Sequence, residues 1–308
     1  MKPDLSVAIG DLKLKNPVIT ASGTFGCGEE YQDLIDLELL GAITVKAVTI
    51  NPVSGNPPPR IVEVTGGMLN SIGLQNEGVD NFINNKLPVI REYGVPIIVN
   101  IAGSSVKEYK ELAERLDKVP EVSALEINIS CPNVKEGGMQ FGIDRRWIST
   151  VTKNVCRVTD KTVITKLSPN VTDIVEMAQA AMAAGSDAVS LVNTFKGMAV
   201  DPETGKPKLA TVTGGLSGPC IKPIALRMVW EVAARLGAPV IGMGGIATVE
   251  DTLEFLIAGA TAVGIGTANF TDPRTAGNIV NGLEEYLRRR QMTTIRQMIG
   301  TIKCNQNE

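Results

Sequence analysis

Eight short apolar runs limit what this chain can fold into more than any other feature. They occupy residues 18–21, 42–48, 97–102, 124–130, 163–167, 188–192, 240–243 and 262–265. They are nearly continuous and rich in β-branched residues, as strands covered on both faces are. Helix signals lie between them. Ser105-Val-Lys-Glu108 is a capping box opening a helix through Leu112 and Leu116. Thr172-Asp173 opens a helix over 174–184 that stops at Gly185, and Thr248 with Asp251 begins one ending at Gly259. Eight strands alternating with helices over roughly 250 residues plus insertions point to a (β/α)8 TIM barrel. A doubly wound open sheet is the alternative, and the regularity of the eight units favours closure. Residues 5–15, with a Gly10-Asp11 turn, read as a hairpin expected to cap the N-terminal mouth of the barrel. No linker or low-complexity segment appears, so residues 1–308 are expected to form a single domain.

Composition removes several kinds of chemistry. The chain has no histidine, so acid–base or metal chemistry by its own histidines is excluded. Its five cysteines (27, 131, 156, 220 and 304) lie far apart without a C-x-x-C pair, which argues against an iron–sulfur or zinc site, or a disulfide framework, held by this chain alone. A net charge of −3 gives no reason to expect nucleic acid or an anionic membrane as partner. The start has no signal-like core and no apolar run reaches the ~18 residues of a membrane helix, so the cytoplasm is the expected compartment.

Three segments, roughly 49–81, 131–146 and 195–219, are too long for simple connectors. Each follows a strand, which puts it on the C-terminal face of a barrel, where active sites of this fold lie. The strand tips there are polar: Ser22, Lys46, Asn100, Asn128 with Cys131, Lys166, Asn193 with Thr194, Gly244-Gly245 and Gly266-Thr267. Lysine is almost never buried without a partner, so Lys46 and Lys166 are expected to face an anion or an electron-rich group. The glycine pairs after the last two strands, and Thr213-Gly-Gly-Leu-Ser-Gly-Pro219, suit a phosphate approached by backbone N–H groups. Cys131 by itself would read as a small buried hydrophobe. Beside two lysines and several asparagines, it becomes a candidate for chemistry on a heterocycle, with a phosphate-bearing cofactor supplying the redox step.

Five motifs spread over nearly the whole chain carry a resemblance: Asn70-Ser-Ile-Gly-Leu-Gln-Asn76, Asn128-Ile-Ser-Cys-Pro-Asn133, Lys166-Leu-Ser-Pro-Asn-Val-Thr-Asp173, Val192-Asn-Thr194 and Gly214-Gly-Leu-Ser-Gly218. The chain resembles the class 1 dihydroorotate dehydrogenases, FMN-containing (β/α)8 barrels of pyrimidine synthesis. Its Lys135-Glu-Gly-Gly138 loop and Leu-Gln-Asn76 ending are similar to the NAD-linked B-type. The resemblance implies that Ser22, Lys46, Ala47, Asn100, Asn128, Lys166, Val192, Gly218, Gly244, Gly245, Gly266 and Thr267 hold one FMN. It implies that Lys46, Asn70, Ser71, Ile72, Gly73, Leu74, Asn128, Asn193 and Thr194 hold dihydroorotate or orotate, with Cys131 as the base. It further implies a partner subunit carrying FAD and a [2Fe-2S] cluster, in a heterotetramer built on a dimer of this chain. The family often has another residue where Glu136 stands, and no role is assigned to it.

Rival readings are an A-type enzyme using fumarate, a related FMN dihydropyrimidine oxidoreductase, and a catalytically silent barrel that binds a phosphate ligand or a partner protein. The Asn70-Ser-Ile-Gly-Leu74 loop favours dihydroorotate among them.

Overall fold

The computed structural model describes residues 2–129 and 141–303. The chain opens with an antiparallel hairpin, β1 (Val7–Ile9) and β2 (Leu12–Leu14). In chain order there follow β3 (Val18–Thr20), β4 (Ile43–Thr44), β5 (Ile61–Val64), β6 (Gly67–Asn70), β7 (Ile97–Ile101), β8 (Val122–Asn128) and β9 (Thr162–Lys166). The remaining strands are β10 (Ala188–Leu191), β11 (Phe195–Met198), β12 (Thr213–Ser217), β13 (Val240–Met243) and β14 (Ala262–Ile265). Eight of them pair in parallel in the order β3-β14-β13-β10-β9-β8-β7-β4, and each of the eight apolar runs supplies one. The result is a nearly closed (β/α)8 barrel.

The helices Val106–Asp117, Arg145–Cys156, Ile174–Ala183, Lys222–Leu236, Val249–Ile257 and Thr275–Arg289 pack around it. Their starts follow local chemistry. Asp173 accepts from the N–H groups of Val175 and Glu176, and Thr248 with Asp251 forms a complete capping box. At Ser105 the box is only half made: its hydroxyl accepts from Glu108 N–H, but the Glu108 carboxylate turns to the N–H and hydroxyl of Ser104. The alternation fails once. Between β3 and β4 the chain forms turns and one 3-10 turn (Leu37–Leu39) instead of an α-helix. Gly23, Gly26 and Gly28 break that segment with positive φ, and the stacked rings of Phe25 and Tyr31 bury in place of a helix face.

The hairpin lies at the N-terminal ends of the strands. Its Gly10 turn sits so close to Asp187, the residue before β10, that a Cβ there would stand 3.2 Å from the Asp187 side chain. Ile9 and Leu14 are buried beneath it.

At the seam β3 and β4 are too short for a full ladder. A single parallel bridge joins Ile19 to Ala42, with Gly41 N–H donating to Val18 O at 2.8 Å and Thr20 N–H to Ala42 O at 3.3 Å. The buried Thr20 hydroxyl completes the pairing. It accepts from Thr44 N–H at 2.9 Å and donates to Thr44 O at 3.3 Å, replacing a ladder bond with a side chain.

Two of the long loops are more than loops. β5–β6 and β11–β12 join in a second, antiparallel sheet, order β11-β12-β6-β5, pairing Gly215 with Asn70, 145 residues away. These strands are half-buried and rich in glycine, so they lack the apolar alternation that marks a strand in sequence.

The seam generates a prediction. A Cβ on Gly41 would run into the backbone carbonyl of Asn16 and touch that of Val18, so Gly41→Ala should destabilise the chain by about 1–3 kcal/mol, the usual cost of overpacking. Urea denaturation measures it, and a midpoint equal to wild type would show that the seam can widen freely.

Candidate active site

The C-terminal ends of the barrel strands and the inner face of the second sheet enclose a cavity of about 580 Å³. Inside the barrel, at the floor of this cavity and just beneath it, four adjacent strands contribute polar side chains: Asn100 on β7, Glu126 and Asn128 on β8, Lys166 on β9 and Ser190 on β10. Period two puts Glu126 and Asn128 on the interior face while Leu125 and Ile127 face the helices. Glu126, 1% exposed, accepts from Asn100 Nδ2 at 2.6 Å and from the Ser190 hydroxyl at 2.7 Å. The Lys166 ammonium, 4% exposed, lies 3.6 Å from its Oε2. Asn128 Nδ2 reaches Asn100 Oδ1 at 3.4 Å, and its backbone carbonyl accepts from Tyr109 OH at 2.7 Å.

Lys46 is held differently. It follows β4, lines the cavity, and forms no ion pair among the described residues. Burial lowers its pKa below the ordinary lysine value, and the Arg60 guanidinium adds to that; Cys27 and Glu30 act the other way.

One wall is the turn after β6. Asn70, Ser71, Ile72, Gly73 and Leu74 all line the cavity. Asn56 braces the turn, its N–H donating to Ile72 O at 3.0 Å and its Nδ2 to Ser71 O at 2.8 Å. Asn76 Nδ2 holds Leu74 O at 2.8 Å. The Ser71 hydroxyl is buried without a partner among the described residues. Asn193 and Thr194 follow β10 on the neighbouring wall, tied by Asn193 N–H to Leu167 O at 3.1 Å and by Thr194 N–H to Asn193 Oδ1 at 2.7 Å.

The end opposite this turn is built from backbone. Among the described residues the N–H groups of Gly244, Gly245, Gly266 and Thr267 donate to no backbone carbonyl. Gly244 and Gly245 take φ of +124° and +80°, and a Cβ on Gly244 would strike Ala225 at 2.8 Å. Only glycine fits there, and it leaves the amides accessible. Gly218 at φ +107° and Ser217, which accepts from the Thr267 hydroxyl at 2.8 Å, complete that end.

Ser22, Lys46, Ala47, Asn128, Lys166, Val192, Gly218, Gly244, Gly245, Gly266 and Thr267 thus line one cavity together with residues 70–74, Asn193 and Thr194. Asn100 does not line it; it stands one layer deeper, fully buried against Glu126 and Asn128. Cys131 and the Lys135–Gly138 loop motif lie outside the described residues. Sequence reading passed over Glu126, Asn56, Ser168, Asn170 and Lys196. Glu126 had a usable signal, being an acidic residue on the same strand face as Asn128. Asn56, Ser168 and Asn170 sit in irregular segments where no period marks a facing side, and Lys196 sits in β11, a four-residue strand whose glycine hides the alternation.

This donor set suits a ligand with a phosphate at one end and a ring carrying both donor and acceptor groups. The amides of Gly244, Gly245, Gly266 and Thr267 fit an anion, while Lys46, Lys166, Asn70, Asn128 and Asn193 can match a ring and a carboxylate.

The state of Lys46 has a measurable consequence. A lysine whose pKa falls on folding holds its proton less tightly in the folded chain. Its cost to stability is therefore full below the lowered folded value and disappears as pH rises towards the unfolded value. Lys46→Met should raise the thermal midpoint of the ligand-free chain by a few degrees at pH 7, with a gain that shrinks in alkali. A midpoint unchanged or lowered at pH 7 would contradict the geometry.

Comparison with known proteins follows the same lines. A family model described as Dihydroorotate dehydrogenase matches residues 4–287. The chain is 58% identical over 302 residues to a protein of Geobacter sulfurreducens, covering 98% of this chain and 99% of the relative. It is 56% identical over 302 residues to one from Geotalea daltonii, with the same coverage. A third, from Pelobacter propionicus, is 52% identical over 304 residues, covering 99% of this chain and all of the relative. All three relatives bear the name "Dihydroorotate dehydrogenase B (NAD(+)), catalytic subunit".

Proposed function

The chain belongs to the dihydroorotate dehydrogenase family, and from that premise we propose how its cavity is used. The protein is an oxidoreductase that oxidises dihydroorotate to orotate in pyrimidine biosynthesis, and its relatives place it with the NAD-linked B-type rather than the fumarate-using A-type. As a catalytic subunit it works with an electron-transfer subunit.

The cofactor in this reading is one FMN per chain, with its phosphate at the Gly244, Gly245, Gly266 and Thr267 amides and its ring beside Lys166. One observation carries the reading: four amides without a partner among the described residues and two differently held lysines line the same cavity. Bound there, FMN would supply the redox chemistry as the acceptor of the substrate's hydride equivalent. The chain supplies everything around it. Lys166 presents a fixed positive charge where negative charge develops on the ring, a contribution that needs no rearrangement during reaction. Lys46 meets the substrate carboxylate, while Asn70, Asn128, Asn193 and Thr194 match the ring amides and hold the substrate in one orientation. The Ser71 hydroxyl, buried without a partner among the described residues, offers a further hydrogen bond. Cys131 takes the proton from C5.

The partner in this reading carries FAD and a [2Fe-2S] cluster, in a heterotetramer built on a dimer of this chain. The scattered cysteines support it, because they leave this chain no spaced thiolate set for a cluster.

The purified chain should absorb near 450 nm, an approximate value for a bound flavin, and bleach when dihydroorotate is added without oxygen. Alone it should reduce artificial acceptors but not NAD until the partner subunit is added. A colourless protein would remove the cofactor assignment, and rapid NAD reduction by the isolated chain would remove the partner.

Cys131→Ser retains size but makes a far weaker base. It should slow flavin reduction by roughly 10²–10⁴-fold, the usual worth of a positioned base, while FMN and orotate still bind. A serine variant reducing its flavin at the wild-type rate would return Cys131 to a packing role.

A further inference from the structure

Among the described residues, Glu126 and Lys166 are the two charged side chains buried in the barrel. Lys166 lines the cavity and Glu126 does not, so whatever Glu126 does for a ligand it does through a neighbour. We propose that Glu126 is a positioning residue: it fixes the Lys166 ammonium at the cavity wall and, as a fixed counter-charge, sets how strongly that ammonium favours negative charge on a ring beside it. This rests on the reading of the cavity as an FMN site.

Three features of the geometry carry the inference. First, the carboxylate is locked. Ser190 on β10 donates to Oε1 at 2.7 Å and Asn100 on β7 donates to Oε2 at 2.6 Å, so strands on either side of the β8–β9 pair fix its rotation. Second, the contact with Lys166 is long, 3.6 Å from Nζ to Oε2. That is an ion pair without a hydrogen bond, and among the described residues Lys166 has no other polar partner. Its three donors stay available to the cavity while its charge is already balanced. Third, a buried pair of this kind is an inefficient stabiliser, since apolar residues of similar volume generally do as well. A pair that held the fold alone would gain from closing to hydrogen-bond distance.

Lys166 therefore differs from a lone cation. Its position is set from behind, by a carboxylate that two neutral donors hold still. Its field at the ring is the ammonium's field reduced by a negative charge one layer deeper. Both the place and the strength of the field then depend on Glu126, although Glu126 never meets the ligand.

Four versions of the full chain test this: wild type, Glu126→Gln, Lys166→Met and the double variant. The readout is the flavin midpoint potential by reductive titration. Glutamine keeps the shape; with its carbonyl oxygen towards Asn100 Nδ2 and its amide nitrogen donating to the Ser190 hydroxyl it keeps both contacts and leaves the Asn128–Asn100 bond in place, so the charge is what changes. With Lys166 present, Glu126→Gln should move the potential to more positive values, by an amount equivalent to a roughly tenfold stronger preference for reduced over oxidised flavin, the order expected for a unit charge removed from a buried site. With Lys166→Met only the direct field of the deeper charge remains to be removed, and no ammonium is left to be released from its place, so the same substitution should shift the potential clearly less. A shift that is absent, negative or equal in the two backgrounds overturns the proposal. Should Glu126→Gln fail to fold, Glu126→Asp takes its place, drawing the charge back by one methylene, with a smaller shift of the same sign. If the wild type holds no flavin, the cavity reading fails. The positioning claim is then decided by thermal midpoints of the ligand-free chains: each single variant should lose several degrees and the double less than the sum. Additive losses would overturn it.

Discussion

Closure of the parallel sheet is the constraint on which the rest depends. A parallel strand left at an open edge exposes unpaired backbone groups, and β3 and β4 are too short to pair fully. The Thr20 hydroxyl, bonded to both the N–H and the carbonyl of Thr44, stands in for the missing rungs. Gly41 lets the two strands approach closely enough for the single Ile19–Ala42 bridge. Because the sheet closes there, the strand tips point into one mouth. Lys46, just beyond β4, and Lys166, at the end of β9, then face the same cavity although β7 and β8 lie between their strands.

Those two lysines are in contrasting physical states. Lys166 is deeply buried and already balanced by Glu126, so its charge is part of the scaffold. Lys46 is half-buried, unpaired among the described residues, and faces the Arg60 charge, so burial and repulsion both lower its pKa. The first is a preorganised field that costs nothing to assemble at the moment of reaction. The second is an unfavourable arrangement among the protein's own groups that an anion beside it would relieve. One cavity thus contains a cation made constant by its surroundings and another that its surroundings leave in need of a partner. That division suits a site that keeps one group bound and exchanges another.

How much of this was legible in sequence depends on which physical signal each element carries. The eight barrel strands were legible because both of their faces are buried, which forces continuous apolar runs. Most of the strand-tip residues were legible because a polar side chain ending such a run needs a reason. The second sheet was not, since Gly67, Gly197, Gly214 and Gly215 erase the alternation and its central pairing spans 145 residues. Glu126 was visible as a polar position in β8, but only the pairing of β7 to β10 reveals that its carboxylate meets Asn100, Ser190 and Lys166. Asn100 shows the limit of reading strand tips: it ends a strand, yet points into the layer beneath the cavity. The segment after β3 broke the helix alternation because glycines and an aromatic stack bury there instead.

The second sheet also joins the two ends of the cavity mechanically. Asn70, which begins the turn on one wall, pairs with Gly215 in β12, and its Nδ2 donates to the Gly215 carbonyl at 3.3 Å. Two residues further along β12, Ser217 accepts from Thr267 at the amide-lined end. Register in an antiparallel ladder moves in whole residues, and a slip by one reverses every side chain. The Asn70–Leu74 turn therefore cannot shift along β12 independently of the end formed by Ser217, Gly218 and Thr267. A side chain that truncates the ladder, such as any Cβ on Gly215, which would collide with the Thr194 hydroxyl, disturbs both ends at once. The distance between these two ends of the cavity is in this way written into strand register.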